Sequence, residues 1–212
     1  MTISVMLDLE TWGTRPGCDI RSIGACVFDP VTGHVGFGTN HEDNGTFYIA
    51  CDNPPDPLWA DWNGEPPVKY PLHRDPRTVQ WWSEQSDEAQ AAFADPVDLR
   101  EALRRFVVWL SEVTNCGLTE KVWTRSDLRI WSHGPQFDIS ILAEAYHAVG
   151  LPVPWHYRAP RDTRTLFDMA GIDDHTAWLK QHPGPLGLVH HALDDAICQA
   201  RAVCAAYGRI GA

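Results

Sequence analysis

The sequence lacks long apolar runs, a basic leader and paired cysteines, and each absence removes a class of protein. No stretch of the 212 residues approaches the ~20 apolar residues that a membrane-spanning helix needs, so no membrane partner is expected. Met1 to Leu7 carries neither a basic flank nor a long apolar core, so no secretory signal is visible. The six cysteines (Cys18, Cys26, Cys51, Cys116, Cys198, Cys204) are scattered, with no C-x-x-C pair. Without an export signal they are expected as reduced thiols in a cytoplasmic protein. Cations are scarce: 17 Lys and Arg stand against 28 Asp and Glu, a net charge of -11. That balance argues against a protein that coats nucleic acid non-specifically. It leaves room for an enzyme whose acids are metal ligands and whose few cations hold phosphates. No internal repeat or low-complexity tract is present. With 44% hydrophobic and 21% charged residues, the chain reads as one soluble globular domain over residues 1–212.

The most informative stretch is the first. Ser4 to Thr11 reads S-V-M-L-D-L-E-T, an apolar strand ending in two carboxylates two residues apart. Alternate strand side chains share a face, so Asp8 and Glu10 point the same way. Two like charges at the end of a core strand are costly unless a cation sits between them. Hard divalent cations take carboxylate oxygens. A lone D-x-E is otherwise an ordinary solvated strand end.

Further along, Arg21 to Phe28 reads as a second strand, and a third follows at Val35–Thr39, Thr46–Ala50 or both, giving an antiparallel meander. Residues 52–76 hold seven prolines and read as a long surface loop. Thr78 to Ala94 is predicted helical in two pieces, the second capped by Ser86 or Asp87. Leu99, Leu103, Phe106, Val107 and Leu110 recur at helical spacing within Pro96–Val113. Leu128–Ser132 is a short strand, Gln136–Val149 a helix, Val153–Arg158 a strand and Arg161–Ala170 a short helix. Ala192–Tyr207 is an amphipathic helix closed by Gly208. Strands that lead, then alternate with helices, indicate an α/β domain with a mixed sheet.

Three stretches matter together: Asp8-Leu9-Glu10; Gly134 to Leu142, G-P-Q-F-D-I-S-I-L; and His190 to Ala196, H-H-A-L-D-D-A. Singly, the acids of the last two read as favourable charge in a first helical turn. As an ordered set of four carboxylates and a histidine, they resemble the DEDDh 3′–5′ exonucleases of the ribonuclease-H-like fold. The phage-type and exoribonuclease-like branch is the nearest in pattern. M-L-D-L-E-T-W-G-T-R-P followed by I-R-S-I-G-A-C-V-F-D, the Trp81-Trp82 pair, G-P-Q-F-D, and the block from Arg161 to Thr165 carry the resemblance, from Met6 to about Ala202. His133 departs from it, since many relatives have asparagine or another polar residue there.

The resemblance implies a five-stranded mixed sheet flanked by helices and two divalent cations, Mg2+ or Mn2+. Asp8 would bridge both, Glu10 and Asp195 would complete one, and Asp138 would hold the other. His190 would be the general base, its spacing to Asp195 selecting it over His191; Asp194 is the corresponding decoy for Asp195. Two metals can activate a water and neutralise a departing oxygen, and an imidazole of ordinary pKa suits proton transfer near neutrality. Leu9, Thr11, Trp12 and His133 are candidate substrate contacts; for Trp12, a place in the core or at the rim is the alternative. Trp81 and Trp82 read as core, one of them walling the cleft. Arg161 and Arg164 either clamp a phosphate or terminal hydroxyl or form a structural network with Asp162. The expected substrate is the 3′ end of single-stranded DNA or RNA, with the first motif tilting toward DNA, and the product a nucleoside 5′-monophosphate. Relatives include homodimers, so the resemblance admits a dimer. A non-catalytic nucleic-acid-binding module and an internally cutting nuclease are the rival readings.

Overall fold

The computed structural model describes residues 2–36, 45–52, 71–115 and 127–211. Six strands, β1 (Ile3–Thr11), β2 (Ile20–Phe28), β3 (Thr46–Asp52), β4 (Val97–Asp98), β5 (Leu128–Ser132) and β6 (Pro160–Asp162), form one sheet in the order β4-β3-β2-β1-β5-β6. β1, β2 and β3 are the antiparallel meander, while β5 and β6 add in parallel on the other side of β1. The helices are α1 (Pro76–Ser83), α2 (Asp87–Ala91), α3 (Leu99–Val113), α4 (Asp138–Ala148), α5 (Thr163–Met169), α6 (His175–Lys180) and α7 (Ala192–Ile210).

β1 is central, so its apolar run is buried on both faces. Val5, Leu7 and Leu9 pack into a core with α3 and α4. Met6 packs on the opposite face with Ala196, Ala200 and Val203 of α7. Asp8 and Glu10 continue the Met6 row, so period-two alternation aims both carboxylates at α7.

Several expectations are corrected. The sheet has six strands, not five, because two residues before α3 pair with the end of β3. The third strand is Thr46–Asp52; Val35 makes only an isolated bridge to Phe28, and residues 37–39 lie outside the described residues, as do Cys116 and residues 53–70 of the proline-rich segment. Val153–Arg158 is not a strand. Pro152 and Pro154 remove ladder donors there, and pairing with β5 starts only at Pro160. The helix expected from Arg161 begins at Thr163, because the Asp162 side chain caps it by accepting from the Arg164 amide. α4 starts at Asp138 rather than Gln136. α7 runs through Gly208 to Ile210, since a glycine near a helix end costs only about 1 kcal/mol. Ser86 caps α2 as expected, accepting from the Ala89 amide.

One close approach places α7. Gly24 pairs with Asp8 across β1 and β2, and a Cβ built on it would lie 2.1 Å from the Ala192 carbonyl carbon and 2.2 Å from the Leu193 nitrogen. Only a glycine lets the start of α7 lie against the sheet beside Asp8. Gly24→Ala is therefore expected to lift this end of α7 and cost about 1–3 kcal/mol. Thermal unfolding of the metal-free chain checks this; a variant as stable as the parent would mean that the contact relaxes freely.

Candidate active site

The three elements that carry the motifs converge at the end of β1. One oxygen each from Asp8, Glu10 and Asp195 lies within 4.8 Å of the others. Asp138 joins them from the first turn of α4, where its Oδ1 accepts the Leu9 amide at 3.2 Å. That bond ties the α4 start to the backbone between the two β1 acids. The cleft above them has a volume of about 520 Å³, and Thr11, His133, Trp81 and His190 form its walls.

Burial, then mutual repulsion, raises the affinity of this cluster for protons. Asp8 is pushed well above the carboxylate range by burial first and then by Asp138, Glu10 and Asp195. Burial raises Glu10 to about 8, with Asp195 and Asp138 adding to the rise and Arg21 opposing it. Asp138 rises to about 7 through burial, against the pull of the Leu9 amide. Asp195 rises to about 6 through burial and Asp194, opposed by the His190 and His191 backbone. Four acids gathered without an ion-paired cation among the described residues, offering only oxygen, fit hard divalent cations such as Mg2+ or Mn2+. Among the described residues the buried cation nearby, Arg21, is held elsewhere: its guanidinium lies over Trp12, Trp82 and Phe93, at 4.3, 4.3 and 3.7 Å from the ring centres.

The two histidines divide cleanly. His191 caps α7, its Nδ1 accepting the Asp194 amide at 3.3 Å, and its ring stacks on Tyr48 at 4.3 Å. His190 lines the cleft with a left-handed φ of 63°, an uncommon conformation for a non-glycine residue. Trp81 meets its ring edge-on at 4.8 Å. Burial lowers the His190 pKa, so its imidazole is neutral and able to accept a proton near neutral pH. Asp194 is also separate from the cluster. It is 2% exposed and accepts the Leu186 and Leu188 amides at 2.8 and 2.9 Å, pinning the loop that ends in His190.

The family model for the Rv2179c-like 3′–5′ exoribonuclease domain matches residues 3–207. The chain belongs to that family. No curated protein matches the sequence. Among solved structures the chain is similar to cell-death related nuclease 4, with a TM-score of 0.61 and 14% identity over 97% of this chain and 63% of that one. It is also similar to the nuclease domain of 3′hExo, a DEDDh family member bound to rAMP (TM-score 0.57, 12% identity, 96% and 90% covered). A third is a zinc-bound complex of E. coli exonuclease I with single-stranded DNA (0.54, 14%, 94% and 39%). At such identities the likeness is one of fold, and the chain spans less than two thirds of the length of the first and third of these proteins. The family makes this a 3′–5′ exonuclease domain, and its fold is similar to that of a DEDDh nuclease.

The exonuclease domain does not gather every residue expected at its site. Leu9 and Thr11 line the cleft; Thr11 also receives the Trp82 indole on its carbonyl at 2.9 Å. His133 lines it too, with Nδ1 2.7 Å from the Thr163 hydroxyl, and burial, Arg164 and His175 lower its pKa to about 4. Arg164 stands at the edge, its guanidinium against Gly134. Trp12 does not line the cleft: Arg21 and Arg74 flank its ring at 4.3 and 4.9 Å. Arg161 is elsewhere as well. Its Nη1 donates to the carbonyls of Arg158 and Pro160 at 2.9 and 2.8 Å, and it lines a different cleft with Trp131 and Tyr207. Of the tryptophan pair, Trp82 is 2% exposed and Trp81 39%, so Trp81 is the cleft wall.

Sequence reasoning missed Gln199. It is 7% exposed, its Nε2 donates to Asp8 Oδ1 at 2.7 Å, and its Oε1 is buried without a partner. Its signal was legible: it lies four residues after Asp195, on the same helical face.

Protonation of the cluster dominates the pH dependence of the metal-free domain, with the lowered pKa of His133 acting in the opposite sense. Glu10, Asp138 and Asp195 all have folded pKa values above those of the unfolded chain, so the folded state binds more protons. The stability this gives is complete below about pH 4 and is lost as pH rises through about 6, 7 and 8. The chelated domain should therefore melt at least about 4 °C lower at about pH 8 than at about pH 5. Mn2+ should raise the melting temperature more at the higher pH. A chelated melting temperature that climbs over this range would contradict the assignment.

Proposed function

We propose that the domain removes nucleoside 5′-monophosphates one at a time from the 3′ end of single-stranded RNA, using two divalent cations and His190 as general base. The convergence of Asp8, Glu10 and Asp195 with Asp138 and His190 in one cleft supports this reading most. RNA is preferred to the DNA favoured by the first motif because the matched family is described as an exoribonuclease domain. Single-stranded DNA is the second reading, motivated by the exonuclease I complexes.

Bound divalent cations would supply charge for the attacking water and for the departing 3′ oxygen, held by Asp8, Glu10, Asp138 and Asp195. The remaining work falls to the chain. His190 takes the proton of the water as its oxygen bonds to phosphorus; the bond from phosphorus to the 3′ oxygen breaks, leaving the phosphate on the released nucleotide. Trp81 offers an aromatic face to the terminal base and fixes the His190 ring. Gln199 holds Asp8 in place. All four carboxylates and the histidine are present, which disfavours a binding module that has lost its chemistry.

A 5′-labelled strand should shorten one nucleotide at a time in Mn2+, RNA faster than matched DNA, while a circular strand survives. Internal fragments, or cutting of the circle, would remove the exonuclease reading; faster loss of DNA would exchange the substrate. His190→Ala should lower kcat by about 10²–10⁴-fold with KM little changed. His191→Ala should lose about 1 kcal/mol of stability as a missing helix cap and keep a near-normal kcat. A dead His191→Ala beside an active His190→Ala would reverse the assignment.

A further inference from the structure

Beside the cleft of the carboxylates lies a second one, of about 580 Å³, that shares His133, Asp195 and Gln199 with it. The two clefts therefore meet at one reacting centre and are otherwise lined by different elements. A strand cut next to its end must leave in two directions, the terminal nucleotide on one side and the rest of the chain on the other.

The linings differ in the way those tenants differ. The first cleft holds all four carboxylates and one exposed aromatic wall, Trp81, enough for a single nucleoside. The second is bordered by Arg164 of α5 and Lys180 of α6, both exposed and neither ion-paired within the described residues. Asp194 and Asp195 line the same cleft, but Asp194 is taken up by the Leu186 and Leu188 amides and Asp195 belongs to the four-acid cluster, so Arg164 and Lys180 are the cations that lining leaves to meet a phosphate. Leu179, Leu188 and Val189 line it as well, the last 68% exposed. Two exposed cations together with an exposed apolar side chain suit a strand that offers both phosphates and bases.

This wall is built before any strand arrives. Asp194 accepts the Leu186 and Leu188 amides, and Arg201 Nη1 donates to the Pro183 carbonyl. Gly184 is pressed so closely that a Cβ would lie 2.4 Å from Asp194 Cγ. The same loop ends in His190, so the wall and the general base are fixed by one buried carboxylate.

We propose that this second cleft, between α5, α6 and the loop before α7, carries the upstream nucleotides of the single strand, with Lys180 contacting a phosphate. The proposal rests on the exonuclease reading above.

The test measures binding of fluorescent oligoribonucleotides of two to about eight nucleotides, with Ca2+ in place of Mg2+, to the parent and to Lys180→Ala. Parent affinity should grow with length beyond the dinucleotide. Lys180→Ala should bind the dinucleotide normally and the longer strands several-fold more weakly, with a log–log salt slope smaller by about 0.7. In parallel, 4-thiouridine at an upstream position should crosslink to residues 175–189, and at the 3′ terminus to the segment holding Trp81. Unchanged binding of long strands by Lys180→Ala, or upstream crosslinks elsewhere, would overturn the proposal. Neither readout needs hydrolysis. A chain that crosslinks as expected but never shortens RNA would fail the exonuclease reading and keep the cleft; one that shortens RNA with upstream bases elsewhere would do the reverse.

Discussion

The site depends on the descent of the α7 N-terminus onto β2 at Gly24. That residue is the partner of Asp8 across the sheet, so the contact that seats the helix lies directly beside the first metal-ligand candidate. It brings Asp195 within reach of Asp8 and Glu10 and lets Gln199, one turn further along, hydrogen-bond Asp8. Small residues carry the contact below: Ala196 and Ala200 pack against Met6 and Cys26. A larger side chain at Gly24 would move three functional groups at once.

The geometry is held against its own charge. Burial raises all four acids, and repulsion from their neighbours adds to it for Asp8, Glu10 and Asp195; the protein offsets this only partly, through the Leu9 amide on Asp138, the Gln199 amide on Asp8 and the Arg21 field on Glu10. Arg21 is committed to its aromatic surroundings and cannot reach in to neutralise the cluster. An acidic site left short of positive charge by its own protein binds hard cations well. Asp194 and Asp195 show how finely this is divided. Adjacent in sequence, one is saturated by loop amides and builds the wall, while the other faces the cleft.

Much of this was legible in the sequence. Strand alternation placed Asp8 and Glu10 on one face, and the family resemblance pointed to His190 over His191, of which the first lines the cleft and the second caps α7. The misses have physical causes. Trp12 follows the D-x-E motif immediately, but the chain turns after Thr11, and its ring is taken by Arg21 and Arg74. Arg161 and Arg164 look equivalent in sequence, yet the helix begins between them, so one turns to the carbonyls before it and the other stands at the cleft. β4 is two residues long and carries no period. Gln199 reads as an ordinary polar residue unless the helix face of Asp195 is followed one turn onward.

The central claim is that these carboxylates form a metal centre organised by Asp8. Calorimetric titration of Mn2+ into the chelator-treated protein and its Asp8→Asn variant tests it most directly. The account predicts two ions bound per parent chain and a marked loss of binding in the variant, with the fold retained. A parent that binds no Mn2+, or a variant that binds it as the parent does, would contradict the account.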